Sequence, residues 1–380
     1  MHEVYINKLA SFLPNDPVCN DSMEDYLGFI NGKKSKIRSL ILRSNGIKQR
    51  YYALDKNGCA THTNATLVAQ VVKKIFDSNP QEIASVDLLT CGTTSPDTLL
   101  PSHAVMVHGQ LPEMGSAEVV SHAGACCSGM HAFKQAYLSV KDGEKNKAVC
   151  CGSERISPMM KAQNFDAEIK AIAAIEKNPY IAFEKDFLRW MLSDGAGAFL
   201  LENKKNDNSI SLKVEWIDII SFANKLNTCM YMGAHKSDDG DLISYHEMTA
   251  EEIANLSVMS LKQDVKILSE NIVETGFGYL IELLNEKQIG ADDIDYFLPH
   301  ISSYFFQPKI FDFMKKAGFT IPYKRWFLNL ENVGNIGAGS IYVMLDELLR
   351  TKPLEKGQKI LLVVPESARF SYAFALLTVC

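Results

Sequence analysis

The chain has 380 residues, of which 47% are hydrophobic and 22% are charged, and its net charge at pH 7 is −6. This length and composition predict a globular protein with enough residues for two packed halves. No apolar run approaches the ~20 residues that a membrane-spanning helix needs, and no basic stripe is present. The composition therefore argues against a membrane span and against nucleic-acid binding. The N-terminal residues lack the pattern of a secretory signal, so we expect a cytoplasmic protein.

The elements predicted before residue 100 alternate between strands and helices. They are a strand at 3–12, a helix from Ser22 to Ile30, a loop with flanking strands at 40–52, a helix at 65–76 and a buried strand at 85–90. The helices follow from apolar residues at three- and four-residue spacing, and Ser22 is a residue type that caps helices well. Short apolar runs bounded by glycine and polar residues predict the strands.

The segment 121–157 has the most informative pattern of the chain. Residues 123–129 contain no bulky side chain, so backbone can approach backbone closely at this turn. A predicted helix follows and ends at Gly143, and residues 148–151 form a predicted buried strand. The pair Cys126-Cys127 lies at the helix entrance, where unpaired N–H groups and the helix dipole favour a thiolate. This position suits a nucleophile, although most buried cysteines are inert small hydrophobes.

The nine cysteines indicate a reducing compartment. Their number is odd, and most of them stand in apolar, strand-like contexts, as expected for reduced thiols in a cytoplasm. None forms a Cys-x-x-Cys pair and the nine histidines are scattered, so we expect no zinc site.

The order of elements in the first part of the chain returns in the second part. When the first unit is shifted by 208 positions, Val86-Asp87 falls on Ile294-Asp295. A small-residue turn at 334–340, a helix, a glycine break and a strand then repeat the cysteine segment. A repeat of this length predicts two similar α/β halves, residues 1–205 and residues 206–380. We expect a joint site where corresponding turns of the two halves meet.

Three polar groups lie at such equivalent turns. The first half contributes Cys127, and the second half contributes His300 at a strand end and Asn335 in the glycine-rich turn. Alone, such a histidine is usually structural and such an asparagine is usually a turn residue. Together the three supply a nucleophile and two hydrogen-bonding groups, which favours a catalytic site.

Short motifs follow one another along nearly the whole chain. They are Asn45-Gly46-Ile47-Lys48-Gln49-Arg50, Thr93-Thr94-Ser95, Pro101-Ser102, Ala125-Cys126-Cys127-Ser128-Gly129-Met130, Ser193-Asp194-Gly195-Ala196-Gly197-Ala198, Leu298-Pro299-His300 and Gly334-Asn335. In this order they resemble motifs of the β-ketoacyl-acyl-carrier-protein synthase III family, in the thiolase superfamily. The resemblance implies a five-layered αβαβα fold of two pseudo-symmetric halves, a homodimer and a Cys-His-Asn triad.

The resemblance also assigns roles to the triad. The family nucleophile is followed by a small residue and a glycine, which selects Cys127 and leaves Cys126 in the small buried position before it. Cys127 would carry an acyl group as a thioester, and a second thioester would become a carbon nucleophile. His300 and Asn335 would donate hydrogen bonds to the oxygen of that second thioester as enolate charge develops.

Further roles follow from the same resemblance. Backbone N–H groups of Cys127 and Ala368 would hold the oxyanion during acyl transfer, and Leu100 aligns where the family's dimer partner closes the acyl pocket. The implied substrates are thioesters of acyl carrier protein or coenzyme A, and the implied chemistry needs no cofactor and no metal. We therefore expect an acyltransferase that performs a Claisen-type condensation.

Some residues depart from the housekeeping members of the family. The tryptophan that stacks on coenzyme A in many members appears as Leu40, the glutamine after the histidine appears as Ile301, and the glycine-rich turn before the last strand appears as residues 365–370. These departures argue against acetyl-coenzyme A priming. Glu154 follows Gly152-Ser153 near the nucleophile segment and is a candidate additional base, or else a solvated or paired strand-end carboxylate.

One stretch indicates a narrower branch of the family. Residues 42–55 resemble the ketosynthase-cyclases that join a β-ketoacyl and an α,β-unsaturated acyl thioester and close a cyclohexanedione, the precursor of dialkylresorcinols. The alternatives are a fatty-acid-initiating synthase III, acyl transfer to an alcohol or amine, a catalytically silent partner subunit and an unconnected cysteine hydrolase.

Overall fold

The computed structural model describes residues 1–32, 34–35, 38–165, 188–237 and 239–380. The strands in these ranges are β1 (Tyr5–Phe12), β2 (Val18–Cys19), β3 (Gln49–Arg50), β4 (Leu88–Thr93), β5 (Glu118–Ala123), β6 (Lys147–Glu154), β7 (Gly195–Glu202), β8 (Leu212–Ser221), β9 (Met230–Tyr231), β10 (Ala234–Lys236), β11 (Leu242–Ser244), β12 (Lys262–Gln263), β13 (Tyr296–Pro299), β14 (Lys359–Glu366) and β15 (Ser371–Val379). The α-helices are α1 (Met23–Leu27), α2 (Arg38–Asn45), α3 (Asn64–Ile75), α4 (Pro80–Ala84), α5 (His103–Gly109), α6 (Cys127–Asp142), α7 (Ala250–Asn255), α8 (Val265–Glu286), α9 (Phe306–Lys316), α10 (Leu330–Val333) and α11 (Ser340–Thr351). None of the helices in the described ranges is long and apolar enough to cross a membrane.

The sheet shows the duplication that the sequence predicts. Nine strands pair in the order β13-β14-β15-β8-β1-β7-β6-β4-β5. In the first half β4 is parallel to β6, β7 is antiparallel to β6, and β1 is antiparallel to β7. In the second half β13, β14, β15 and β8 have the same order and the same directions. The boundary predicted between residues 205 and 206 falls in the connection between β7 and β8 and stays a prediction.

Helices cover and separate the two halves of the sheet. The apolar faces of α6 and α11 pack between the strands of the two halves, where Phe199 of β7 contacts Phe133 of α6 and stacks on Tyr342 of α11. Helices α3 and α5 cover the outer face of the first half, and α8 and α9 cover the outer face of the second. The layers therefore follow the order helix, sheet, helix, sheet, helix, as the resemblance implies.

Two glycines bring the middle layer into backbone contact near the cysteine turn. A Cβ added to Gly152 of β6 would lie 2.2 Å from the carbonyl oxygen of Ala338, and one added to Gly129 of α6 would lie 2.3 Å from the same atom. Tyr342 Oη also donates a hydrogen bond to the Gly129 carbonyl, at 2.8 Å. Only glycine fits at such a close approach, so these contacts set the distance between the turns of the two halves.

The local predictions differ from the structure in three places. The loop predicted at 40–52 was wrong in its first part, because residues 40–45 belong to α2. Ile41 of that helix is buried, and Asn45 Nδ2 donates to the Trp190 carbonyl at 3.0 Å. The helix after Ser22 ends at Leu27, since Gly28 has φ of +77°. The strand predicted at 85–90 lies at Leu88–Thr93.

Candidate active site

A cavity of about 810 Å³, its open mouth included, lies where the cysteine turn meets the second half. Its polar end is formed by Cys126, Glu154, His300 and Asn335. Its apolar end extends between helices of the second half, with Leu268, Ile272, Val273 and Phe277 from α8 and Phe306 and Ile310 from α9. A thiol, an imidazole and an amide therefore meet at one end of an apolar space, which is typical of a site for a ligand with a polar head and an apolar chain.

The cysteine turn presents the Cys126 side chain to this cavity. β5 ends at Ala123, Gly124 follows with φ of +155°, and α6 begins at Cys127. The Ala125 carbonyl accepts the Ser128 N–H at 2.9 Å and the Ser128 hydroxyl at 2.7 Å, which fixes the first turn. The sulfur of Cys126 lies 3.3 Å from Nε2 of His300, within hydrogen-bonding distance.

Cys127 faces the other way. Its thiol donates to the Val364 carbonyl at 3.3 Å, its N–H donates to Oε2 of Glu366 at 2.9 Å, and its side chain is buried among apolar residues of the middle layer. Successive residues at a helix start point about 100° apart, and of these two described thiols Cys126 lines the cavity whereas Cys127 does not. The arrangement expected from the resemblance, with Cys127 against His300, differs from the structure, which places Cys126 there.

The expectation of a thiolate stabilised by free N–H groups was also wrong. Burial raises the pKa of the Cys126 thiol above its ordinary value, and the nearby carboxylates of Glu366 and Glu154 raise it further. Burial and Glu366 likewise raise the pKa of Cys127. The first N–H of α6 is not free, because Glu366 accepts its hydrogen bond. Both cysteines are thiols at neutral pH in this arrangement.

His300 is a neutral imidazole in the cavity wall. It follows β13, and its N–H donates to the Val363 carbonyl of β14 at 2.8 Å. Burial lowers the pKa of His300 to about 4, so the ring is uncharged at pH 7. One ring nitrogen then donates and the other accepts, which suits both proton transfer and hydrogen bonding to an oxygen.

The backbone holds Asn335 in place. Its N–H donates to the Met191 carbonyl at 2.9 Å, and its carbonyl accepts the Ser193 N–H at 2.8 Å. Gly334 before it has φ of +69°, and a Cβ there would lie 2.9 Å from the Cβ atoms of Arg50 and Ser193. The Asn335 Oδ1 accepts the Gly337 N–H at 2.8 Å, and Asn335 is one of the residues that line the cavity.

The carboxylate of Glu154 is surrounded by donors. It accepts hydrogen bonds from the Thr94 N–H and hydroxyl, from the Ser95 hydroxyl at 2.6 Å and from the Ala338 N–H at 3.2 Å. Burial raises its pKa, while these hydrogen bonds oppose the rise. They occupy the lone pairs that a base would need and join turns of the two halves. The geometry therefore favours a structural role for Glu154 over the role of a base.

Two further predicted site residues lie outside the cavity of this chain. Leu100 is 87% exposed, next to the exposed Leu99, and does not line the cavity of this chain. The Ala368 carbonyl accepts N–H groups of Cys229 and Met230. Among the described residues, the same segment lines the cavity through Pro365 and Ser367 and not through Ala368.

Sequence reasoning assigned no role to two carboxylates, Glu366 and Asp194. Glu366 belongs to the segment 365–370 that departs from the family pattern, and this departure was the available signal. Asp194, of the Asp-Gly motif, accepts the N–H groups of Ala53, Ile156 and Ser157 at 2.7 to 2.9 Å. It thereby joins the strand ends behind the cavity.

Comparison with known proteins agrees with the fold and the motifs. Residues 284–377 match the family described as 3-oxoacyl-[acyl-carrier-protein (ACP)] synthase III C terminal. Residues 115–207 match the family described as beta-ketoacyl synthase, N-terminal domain. A β-ketoacyl-[acyl-carrier-protein] synthase III of Clostridium perfringens is 25% identical over 358 residues, which cover 93% of this chain and 92% of that protein.

Solved structures of the same fold cover almost the whole chain. The tetronic acid condensing enzyme AbyA1 has a TM-score of 0.74 at 20% identity, with 98% of this chain and 99% of that chain covered. The 3-oxoacyl-(acyl carrier protein) synthase III of Pseudomonas aeruginosa PAO1 has a TM-score of 0.73 at 18% identity, with both chains fully covered. From its fold, its matched families and its relatives, the chain is an acyl-condensing enzyme, an acyltransferase, with a thiolase-like fold, and it is similar to β-ketoacyl-acyl-carrier-protein synthase III proteins.

Proposed function

We propose that this condensing enzyme joins a β-ketoacyl and an α,β-unsaturated acyl thioester and closes the product to a cyclohexanedione, a precursor of dialkylresorcinols. The observation that carries the proposal is the cavity, whose polar end holds a thiol, an imidazole and an amide and whose long apolar end lies between α8 and α9. The apolar side chains of α8 and α9 that line this end suit the hydrocarbon chain of an acyl group. The resemblance of residues 42–55 to the ketosynthase-cyclases supports the same branch.

The first half-reaction loads a cysteine. We propose that the Cys126 sulfur attacks the carbonyl carbon of an acyl thioester and forms a new C–S bond, while the carrier's C–S bond breaks. The thiol proton passes through the neutral ring of His300 to the departing carrier thiolate. The resemblance favours Cys127 for this role, and the geometry favours Cys126, because its sulfur alone is placed against the imidazole and the cavity.

The second half-reaction forms carbon–carbon bonds. A β-ketoacyl thioester loses an acidic proton, and the Asn335 amide and the His300 ring donate hydrogen bonds to the oxygen of the resulting enolate. One C–C bond forms by addition to the double bond of the unsaturated acyl group. The other forms when a second carbanion of the ketoacyl chain attacks the carbonyl of the unsaturated acyl group and expels its thiolate. The product is a six-membered 1,3-dione that still carries the thioester of the ketoacyl chain. Of the two protons that this chain loses, one is taken up by the enolate left after the addition to the double bond and the other by the expelled thiolate. Hydrolysis of the remaining thioester by water, followed by loss of carbon dioxide, releases the ring.

A fatty-acid-initiating synthase III is the second candidate. The relatives at 25% identity carry that name, which favours it. Against it, Leu40 is an exposed residue of α2 at the position of the coenzyme-stacking tryptophan, and Ile301 makes the cavity wall more apolar. Both candidates share the loading step and differ in the second substrate.

The deciding experiment supplies paired thioesters of an acyl carrier protein and identifies the carbon skeleton that is released. We expect a cyclohexanedione from medium-chain β-ketoacyl and 2-enoyl thioesters together, and none from either alone. The comparison reaction contains acetyl-coenzyme A and a malonyl thioester. A linear β-ketoacyl product from that pair alone would replace our proposal with the initiating synthase. An ester or amide would indicate acyl transfer to an alcohol or amine.

We also propose that the enzyme is a homodimer that takes its substrates from acyl carrier protein or coenzyme A. β5 is an edge strand of the sheet with half-buried residues, and a strand of a second copy could pair with it. Leu99 and Leu100 are 73% and 87% exposed on one chain, which favours their burial against a partner. Light scattering on the purified protein should give twice the chain mass of 42.3 kDa. A monomer at micromolar concentration would remove the proposed role of Leu100 in the acyl pocket.

A further inference from the structure

Glu366 is the last residue of β14, and its carboxylate lies at the start of helix α6. It is only 8% exposed, and its Oε2 accepts the Cys127 N–H at 2.9 Å. Helix α6 has 16 residues, so its first N–H groups form the positive end of a substantial dipole. A carboxylate placed there neutralises the charge that would otherwise favour a thiolate at the same turn.

No positive charge compensates this carboxylate. In the part of the chain that the structure describes, no lysine or arginine forms an ion pair with Glu366. The titratable groups on which it acts are the two thiols of the cysteine turn, and Cys126 is also affected by Glu154 of β6. Burial raises the pKa of Glu366, while the hydrogen bonds from the Cys127 and Ala125 backbone oppose this rise and favour the carboxylate. In its ionised form Glu366 raises the pKa of both cysteines.

The same hydrogen bond occupies the donor that an acyl transfer would use. When a nucleophile lies at a turn before a helix, the N–H of the following residue is well placed to hold the oxyanion. For a tetrahedral intermediate on Cys126, that donor is the Cys127 N–H. Here the carboxylate of Glu366 already holds it, and a second hydrogen bond, from the Ala125 backbone, ties the same carboxylate to the cysteine turn.

We propose that Glu366 restrains the cysteine pair, by placing a negative charge beside both thiols and by occupying the Cys127 N–H until an acyl thioester displaces it. Glu366 is thus a residue that controls the nucleophile and does not attack the substrate itself. The part of this proposal that concerns acyl loading rests on the proposed function. The part that concerns thiol reactivity does not.

The test compares Glu366→Gln, which removes the charge, and Glu366→Ala, which also empties the site, with the wild type. The rate of alkylation by iodoacetamide is measured between pH 6 and 10, and mass spectrometry of peptides assigns the label to Cys126 or Cys127. Asp346→Asn is the matched control, because Asp346 is also a buried carboxylate, bonded to Ser11 and Arg350 on the far face of α11. Thermal melting confirms that each variant is folded.

We expect the rate profile to shift to lower pH in both Glu366 variants, because removing a negative charge lowers the pKa of a nearby thiol. At pH 7.5 the alkylation rate should rise by about tenfold, the change for a pKa lowered by one unit. The Asp346→Asn profile should match that of the wild type. An unchanged profile, or a shift to higher pH, in a folded Glu366→Gln protein would overturn the proposal.

The rate of acyl loading distinguishes a restraining role of Glu366 from a role in catalysis. Glu366→Ala should load acyl groups faster than the wild type at subsaturating thioester, because the N–H is free for the oxyanion. A slower loading rate, with alkylation accelerated, would show that Glu366 assists the reaction and would overturn the restraint. If neither the wild type nor the variants gain any acyl group, while the Glu366 variants are alkylated faster than the wild type, the proposed function is contradicted and the control of the thiols by Glu366 stands.

Discussion

The Cys126→Ala variant should gain no acyl mass when it is incubated with acyl thioesters, whereas the Cys127→Ala variant should still be loaded. The reason is geometric, since the Cys126 sulfur lies 3.3 Å from the imidazole of His300 and lines the cavity. The Cys127 thiol is bonded to the Val364 carbonyl inside the middle layer. Intact-protein mass spectrometry, followed by peptide mapping, measures the loading and its position.

Stability controls make this comparison informative. Removal of the Cys127 sulfur leaves a small gap in a close-packed layer and should lower the free energy of unfolding by about 1 kcal/mol. Removal of the Cys126 sulfur at the cavity wall should lower the free energy of unfolding by a smaller amount. If only Cys127→Ala loses loading, while its melting temperature stays near that of the wild type, the assignment from the family resemblance holds. His300 must then turn toward Cys127 when substrate binds.

The Asn335→Ala variant should keep the loading step and lose condensation by roughly 100- to 1,000-fold, the usual cost of removing one oxyanion donor. Asn335 lines the cavity and its Oδ1 accepts the Gly337 N–H, so we expect its Nδ2 group to be the donor to the enolate oxygen. It has no role in the attack of the thiol. Loading is followed by mass, and condensation by the rate of product formation from a preloaded enzyme.

Asn329→Ala is the matched control for this prediction. Asn329 is also buried, and its Nδ2 group donates to Glu347 at 2.8 Å, away from the cavity. This variant should lose some stability and keep both half-reactions. An equal loss of loading and condensation in a folded Asn335→Ala protein would contradict the assigned role. It would indicate that Asn335 shapes the cysteine turn instead.

Local patterns predicted much of the fold. The helix at Asn64–Ile75, the buried strand at Lys147–Glu154 and the helix from Ser340 follow from periodicity and glycine breaks, which depend only on near neighbours. The duplication could also be predicted from local patterns, because the same order of elements occurs twice along the chain. The order of the paired strands confirms it. The helix at 40–45 was missed because its stability depends on a distant contact, between Asn45 and Trp190.

The site was predicted less completely for a similar reason. The resemblance brought together the cysteine turn, His300 and Asn335, and the structure places residues of all three at one cavity. It could not show which of two adjacent thiols faces that cavity, because a rotation of one residue at a helix start decides the question. Nor could it show that Glu366 bonds to Cys127, which is 239 positions away in sequence.

The middle layer has a consequence for how this protein is built. Helices α6 and α11 each cover strands of both halves, and Gly129 and Gly152 leave no room between them and Ala338. Each half thus shares this layer with the other, and cutting the chain between them would expose an apolar surface on each fragment. The sequence contains the same pattern of elements twice, but the two copies share one middle layer, and the proposed site lies where they meet.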